Sequence, residues 1–105
     1  MSKYHAQRTE VDGIKFASKK EATRYVQLKA FERVGIIKNL RLQVPFVIIA
    51  KSRYGRAIKY VADFVYDEDG QMVVEDVKSK ATITPVYKLK KRLVAEVYGI
   101  EITEV

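Results

Sequence analysis

The sequence predicts an α/β fold: a helix, three strands, a second helix and a last short strand, forming a mixed sheet flanked by helices. Three observations lead there. Two helical segments carry both a start and a stop signal, one from Ser18 to Gly35 and one from Thr84 to Gly99. Three strand-like runs lie between them. A strand–helix–strand passage around the second helix then calls for a parallel neighbour in the sheet.

Residues 1–8 are polar and basic and are expected to form a mobile arm, and the single histidine, His5, reads as a solvated tail residue. Thr9–Phe16 contains Val11-Asp12-Gly13-Ile14, a tight hairpin signal. Ser18, with Glu21 three residues later, forms a capping box. Ala22, Tyr25, Val26, Phe31 and Val34 then supply an apolar stripe, and Gly35 ends the helix. Leu40–Ile49 reads as a strand in which Pro45 implies an edge or a bulge. Lys51–Lys59 is a basic loop with one tyrosine, Tyr54. Tyr60–Tyr66 and Gln71–Lys78 are the next strands. Thr84 caps the second helix, with Pro85 at its first position and Gly99 as its stop. Val86, Leu89, Leu93 and Val97 are assigned to the core, and Lys88, Lys91 and Arg92 to another face. Ile100–Val105 alternates as a last strand. No repeat or linker divides the chain, so 1–105 is read as one domain.

Composition narrows the function classes. The chain has 105 residues, 48% of them hydrophobic, enough for a modest core. Twenty Lys and Arg against 13 Asp and Glu give a net charge of +7, which favours a polyanionic partner, nucleic acid ahead of membrane. No apolar run approaches the roughly 20 residues of a membrane span, and no signal-peptide pattern opens the chain. The absence of cysteine excludes disulfides and thiolate metal sites and suits a cytoplasmic location. A single histidine excludes multi-histidine zinc sites.

The hairpin carries the chemistry. The connector ends in Asp69-Gly70, and a two-residue turn there sets Asp63 opposite Asp76 and Val61 opposite Lys78. Asp76 and Lys78 share that face by the period of two. Opposed like charges destabilise a sheet unless a cation joins them. Mg²⁺ takes oxygen ligands, often one or two carboxylates with water and phosphate. A nearby ammonium can orient an attacking water or offset phosphoryl charge. Asp67, Glu68 and Asp69 are read as a solvated tip. Carboxylates near turns are common, but Asp63 stands well back on an otherwise apolar or aromatic strand.

A helix-borne Glu, an Asp on one hairpin strand and Asp-x-Lys on the next resemble the PD-(D/E)XK nuclease pattern, shared by restriction endonucleases and archaeal-type Holliday junction resolvases. Nearly the whole chain is also similar to a family of small phage-encoded proteins with a domain of unknown function. The stretches that carry it are Val11-Asp12-Gly13-Ile14, Ser18-Lys19-Lys20-Glu21-Ala22, Leu42-Gln43-Val44-Pro45-Phe46, Tyr60-Val61-Ala62-Asp63-Phe64, Glu75-Asp76-Val77-Lys78 and Tyr87-Lys88-Leu89-Lys90. Ala62 replaces the pattern's proline, and Asp76 fills the slot that also takes Glu. The resemblance implies a restriction-endonuclease-like core. It makes Asp63, Asp76 and Glu21 metal carboxylates and Lys78 the group that positions the nucleophile or stabilises charge. Glu21 is explained equally by helix capping. Gln43 corresponds to a recurrent glutamine and is kept as an accessory residue, with a sheet-surface amide as the simpler account. Glu75 is assigned to the opposite face, at the surface or as a secondary contact.

The expected function is a Mg²⁺-dependent DNA endonuclease (Mn²⁺ as a possible substitute) acting on branched DNA as a homodimer, in the host cytoplasm if the protein is phage-encoded. Lys51, Arg53, Arg56, Lys59, Lys88, Lys91 and Arg92 are candidates for phosphate contacts, and Tyr54 or Tyr87 for stacking on an unpaired base. Two alternatives stand beside it: a basic nucleic-acid-binding module without catalysis, and a nicking endonuclease for duplex or flapped DNA.

Overall fold

The computed structural model describes residues 8–105, so the expected N-terminal arm and His5 lie outside the described residues. The chain forms β1 (Thr9–Val11), β2 (Ile14–Phe16), α1 (Lys19–Arg33), β3 (Lys38–Ile49), β4 (Ile58–Glu68), β5 (Gln71–Asp76), α2 (Pro85–Tyr98) and β6 (Ile102–Glu104), with a single 3₁₀ turn at Lys80–Thr82. β1 and β2 make a two-stranded sheet, and the main sheet runs β3-β4-β5-β6. β3, β4 and β5 pair antiparallel while β5 and β6 pair parallel, so the α/β fold with a mixed sheet is as predicted. Pro45 sits on β3, an edge strand, where its missing N–H costs the sheet little. Among the described residues no helix is long and apolar enough to cross a membrane.

Both Asp-Gly turns form as expected. Asp12 and Gly13 have φ of 53° and 76°, and Asp69 and Gly70 have 52° and 77°, the paired left-handed residues of a two-residue hairpin turn. The helix signals hold as well. The Ser18 hydroxyl accepts from Glu21 N, Thr84 accepts from Tyr87 N, and Gly99 ends α2 with φ of 69°. A hydrogen bond from the Tyr25 hydroxyl to Asp12 (3.0 Å) ties the first hairpin to α1.

The helix faces differ from expectation. On α1 the buried residues are Glu21, Ala22, Tyr25 and Leu28, whereas Val26, Phe31 and Val34 are exposed. On α2 the buried residues are Tyr87 and Val94, and Val86, Leu89 and Val97 face outward. The α2 stripe is offset by one residue, which turns a helix by about 100°. The broad ring of Tyr87 packs on Tyr60, and that contact fixes the rotation. One core lies under α1 (Phe16, Ala22, Tyr25, Leu28, Ile37, Phe64, Tyr66) and another under α2 (Tyr60, Ala62, Val65, Val74, Tyr87, Val94, Ile102).

The strands change face at one level. On β4, Tyr60 and Ala62 belong to the α2 core and Phe64 and Tyr66 to the α1 core; on β3, Leu42 packs toward α1 and Val44 toward α2. Leu42 pairs with Phe64 and Val44 with Ala62, so the reversal is at Gln43 and Asp63. Gln43 supplies the distortion, since its φ of 53° interrupts the alternation of side chains. β5 also leaves β4 here. Their pairing has the predicted register from Glu68–Gln71 to Phe64–Glu75 and stops. Asp63 is therefore not a ladder partner of Asp76, nor Val61 of Lys78, contrary to the register extrapolated from the turn. Val61 pairs with Pro45, and Lys78 N donates to Val105 O (3.0 Å) alongside β6.

Candidate active site

The sheet opens between β4 and β5, and the carboxylates gather at the opening. Asp63 Oδ2 accepts from Val77 N at 2.9 Å, replacing a lost rung of the ladder with a side-chain bond. Gln43 Nε2 donates to Asp63 Oδ1 at 3.3 Å, so Gln43 contacts the site and is not merely a surface amide. Asp63 and Asp76 lie close enough to act on each other, and the influence of Asp63 raises the pKa of Asp76. Glu21 also acts on Asp63 and opposes its ionisation. Glu21, Asp63 and Asp76 thus come together at one groove.

Burial dominates their electrostatics. It raises the pKa of Asp63 above the ordinary carboxylate range. Asp76 is 4% exposed. Burial first, and then the hydrogen bond and charge of Asp63, push it up to about 7 against the opposing charge of Lys78. Lys78 Nζ is 3.2 Å from Asp76 Oδ2 and sits 4.1 Å from the centroid of the Tyr87 ring. The ammonium is therefore held between an acid and an aromatic face. Glu21 does cap its helix: its Oε2 accepts from Ala17 N at 3.1 Å, one residue upstream of the reciprocal bond of a capping box. The capping and site roles coexist in one side chain.

All four residues line one open groove of about 470 Å³, with Lys59 and Lys90 among the residues around it. Tyr60 adds a feature that sequence reasoning missed. Its hydroxyl is buried beside Asp76, and burial, the charge of Asp76 and hydrogen bonding to it hold its pKa far up. The period of two assigns Tyr60 to the face opposite Asp63, and only the reversal at Gln43 and Asp63 brings it to Asp76. Lys90, at helical spacing from Tyr87, was also missed.

Among the described residues no group of three His, Cys, Asp or Glu side chains is arranged to hold one metal ion. The donor chemistry nevertheless suits a hard cation: Mg²⁺ is commonly held by one or two carboxylates and completed by water and phosphate, and Asp63 and Asp76 supply that pair.

A family model described as "Protein of unknown function (DUF1064)" matches residues 1–103. The chain belongs to that family. No curated protein and no solved structure matches it.

In this DUF1064 chain the other predicted residues fall in different places. Lys51, Arg53 and Arg56 stand in the exposed connection between β3 and β4, whereas Lys59 lies on β4 opposite Val47 and not in the loop. Lys88, Lys91 and Arg92 line a second groove, against β6, away from the carboxylates. Lys91 is partly neutralised there by Glu104 at 2.9 Å. Tyr87 is buried, and its hydroxyl donates to Glu104 at 2.7 Å, so it is not free to stack on a base. Glu75 is on the face opposite Asp76 as expected, but it is 1% exposed and not at the surface. Arg24 grips it with two bonds (2.9 and 2.6 Å), and the Tyr66 hydroxyl donates to it as well.

Proposed function

We propose that the chain is a Mg²⁺-dependent DNA endonuclease of PD-(D/E)XK type, with branched DNA such as Holliday junctions as its substrate class. The observation that carries this reading is the pairing of half-buried Asp63 with buried Asp76 in an open groove, with Lys78 3.2 Å from Asp76. Asp63 and Asp76 would hold the cation, with Glu21 completing the acidic cluster from α1; Mn²⁺ shares the oxygen chemistry. When bound, such an ion polarises a phosphoryl oxygen and lowers the pKa of water. Lys78, steadied by Asp76 and the Tyr87 ring, orients the attacking water or offsets charge developing on the phosphoryl group. Tyr60, buried beside Asp76, steadies that carboxyl from the α2 side. Lys59 and Lys90 hold the DNA backbone beside the groove. The net charge of +7 supports a nucleic-acid partner, with binding that weakens steeply as salt rises. Phage origin and junction preference rest on the family resemblance. Resolving a junction takes two nicks, and a two-fold dimer presents two sites to them.

A non-catalytic nucleic-acid-binding module is the second reading. It is favoured by the fact that Asp63 and Asp76 already have protein partners: Val77 N, Gln43 and Lys78. One experiment separates the two. Labelled junction, flap, duplex and single-stranded DNA are incubated with Mg²⁺ or Mn²⁺, using the wild type and Asp63→Asn. Cleavage by the wild type, strongest on the junction and lost in the variant, is expected. Metal-dependent cleavage of duplex or flap alone would point to a nicking enzyme, and no cleavage of any substrate would leave the binding module. Light scattering should give a dimer at micromolar concentration.

A further inference from the structure

The outer half of the β3–β4 pair takes no part in the chemistry above. β5 pairs with β4 only between Phe64 and Glu68, whereas β3 follows β4 out to Ile49 and Ile58, so the outer half is a two-stranded ribbon. α2 braces it: the Tyr98 hydroxyl donates to Val47 O at 2.6 Å, and its ring meets Phe46 edge-on. At the far end the chain closes another tight turn. Ser52 N donates to Gly55 O (3.0 Å), Gly55 N to Ser52 O (3.2 Å), and Tyr54 N to Ser52 Oγ (3.1 Å). Arg53 and Tyr54 are thereby fixed at the apex.

Tyr54 is 83% exposed. The Arg53 guanidinium covers one face of its ring at 4.8 Å and donates to its hydroxyl at 2.6 Å, which leaves the other face open. Lys51, Arg56 and Lys59 lie nearby in sequence, and no acidic residue occurs between Arg33 and Ala62. Lys51, Arg53, Arg56 and Lys59 form no ion pair among the described residues. A lone exposed tyrosine is ordinary. A guanidinium-backed ring at the apex of a braced, cationic ribbon is what stacking on a nucleobase requires.

We propose that the ribbon tip is a base-stacking site, in which Tyr54 backed by Arg53 stacks on an unpaired or branch-point base of a DNA strand. In a continuous duplex both faces of each base are already covered, and exposing one costs a few kcal/mol. The site therefore distinguishes branched from uninterrupted DNA. At about 3.3 Å per residue, the tip lies within roughly 30 Å of Asp63 along the arm. The proposal rests on the DNA reading of the groove and deepens it: the carboxylates cut, and the tip selects the substrate.

The test is made in EDTA, so that binding is read without cleavage. Affinity for a branched DNA and for a duplex of equal length is measured at matched salt. Tyr54→Ala should weaken branched-DNA binding about tenfold, within the range of a lost base–aromatic stack, and change duplex binding by less than about twofold. The chain has no tryptophan, so Tyr54→Trp supplies a unique fluorophore. Branched DNA, and not duplex, should quench it while affinity is retained. Unchanged branched-DNA affinity in Tyr54→Ala, or an unquenched tryptophan, overturns the proposal even if the wild type cleaves DNA. A wild type that binds neither DNA removes the DNA reading and this proposal together. A wild type that binds branched DNA but never cleaves, with the Tyr54 effects intact, removes only the nuclease.

Discussion

Replacing Asp76 with Asn should stabilise the metal-free protein, increasingly so as pH rises. Burial, together with Asp63, pushes the Asp76 pKa up from 3.8 to about 7. An acid whose folded pKa is raised keeps its proton more tightly in the native state, so stability falls with rising pH between about 4 and 7 and levels off above. Each pKa unit corresponds to about 1.36 kcal/mol, which sets a ceiling near 4 kcal/mol. Coupling to the titration of Asp63 reduces the effect, to an expected loss on the order of 2–4 kcal/mol at mildly alkaline pH. For a domain of this size that is roughly 10 °C or more in melting temperature. Asn fills the same space and does not ionise. Thermal melts in EDTA across the neutral range should therefore slope downward for the wild type and be flatter and higher for Asp76→Asn. Millimolar Mg²⁺ should restore the wild type at alkaline pH, because a ligand that binds only the native state adds RT ln(1 + [L]/Kd), and should do little for the variant. Wild-type melts that do not change with pH in EDTA, or equal rescue of both proteins by Mg²⁺, would refute the reasoning.

Four further substitutions separate chemistry from architecture. Lys78→Ala should lower cleavage by about 100-fold or more with little change in melting or DNA affinity, because Asp76 can remain protonated without it; matching losses of stability and activity would make Lys78 structural. Glu21→Gln keeps the acceptor for Ala17 N but removes the charge, so cleavage should fall sharply at constant melting temperature, and unchanged cleavage would confine Glu21 to capping. Tyr60→Phe removes a buried hydroxyl beside Asp76 and should slow cleavage while changing stability by no more than about 1.5 kcal/mol; unchanged cleavage would confine Tyr60 to the α2 core. Arg24→Ala strands Glu75 in the α1 core and should cost about 3–5 kcal/mol by chemical denaturation, so a cost below about 1 kcal/mol would sink the assignment of that pair.

Local signals made the fold legible. Asp12-Gly13 and Asp69-Gly70 adopt the turns their side chains permit, and Ser18, Thr84, Pro85 and Gly99 bound their helices as read. The parallel β5–β6 pair followed from the connection around α2. Helix rotation was not legible in the same way. Both helices carry more apolar residues than one face can bury, and the choice among stripes depends on partners distant in sequence. Tyr60, for instance, selects Tyr87 and Val94 over Leu89 and Val97. Glu75 was misplaced for a related reason. A carboxylate reads as surface until its cation is known, and Arg24 stands on another element entirely.

The site was legible only as far as the turn could set its register. Asp63 and Asp76 meet because Asp69-Gly70 fixes the pairing up to Phe64–Glu75. Past that pair, a two-strand extrapolation fails because β5 turns to follow β6, and no pattern within the hairpin records β6. The failure is itself what makes a site. Had β4 and β5 continued in register, the Val77 N–H would have been available for a backbone rung and would not have reached Asp63. The opening instead leaves a carboxylate to complete the sheet, and the left-handed Gln43 on the other side of Asp63 marks the same level on β3. Side chains from opposite parities, Tyr60 and Asp63, then reach one groove. An uninterrupted ladder keeps successive side chains on alternate faces; a groove that collects acid, base and hydroxyl from two strands needs the ladder broken where those residues stand.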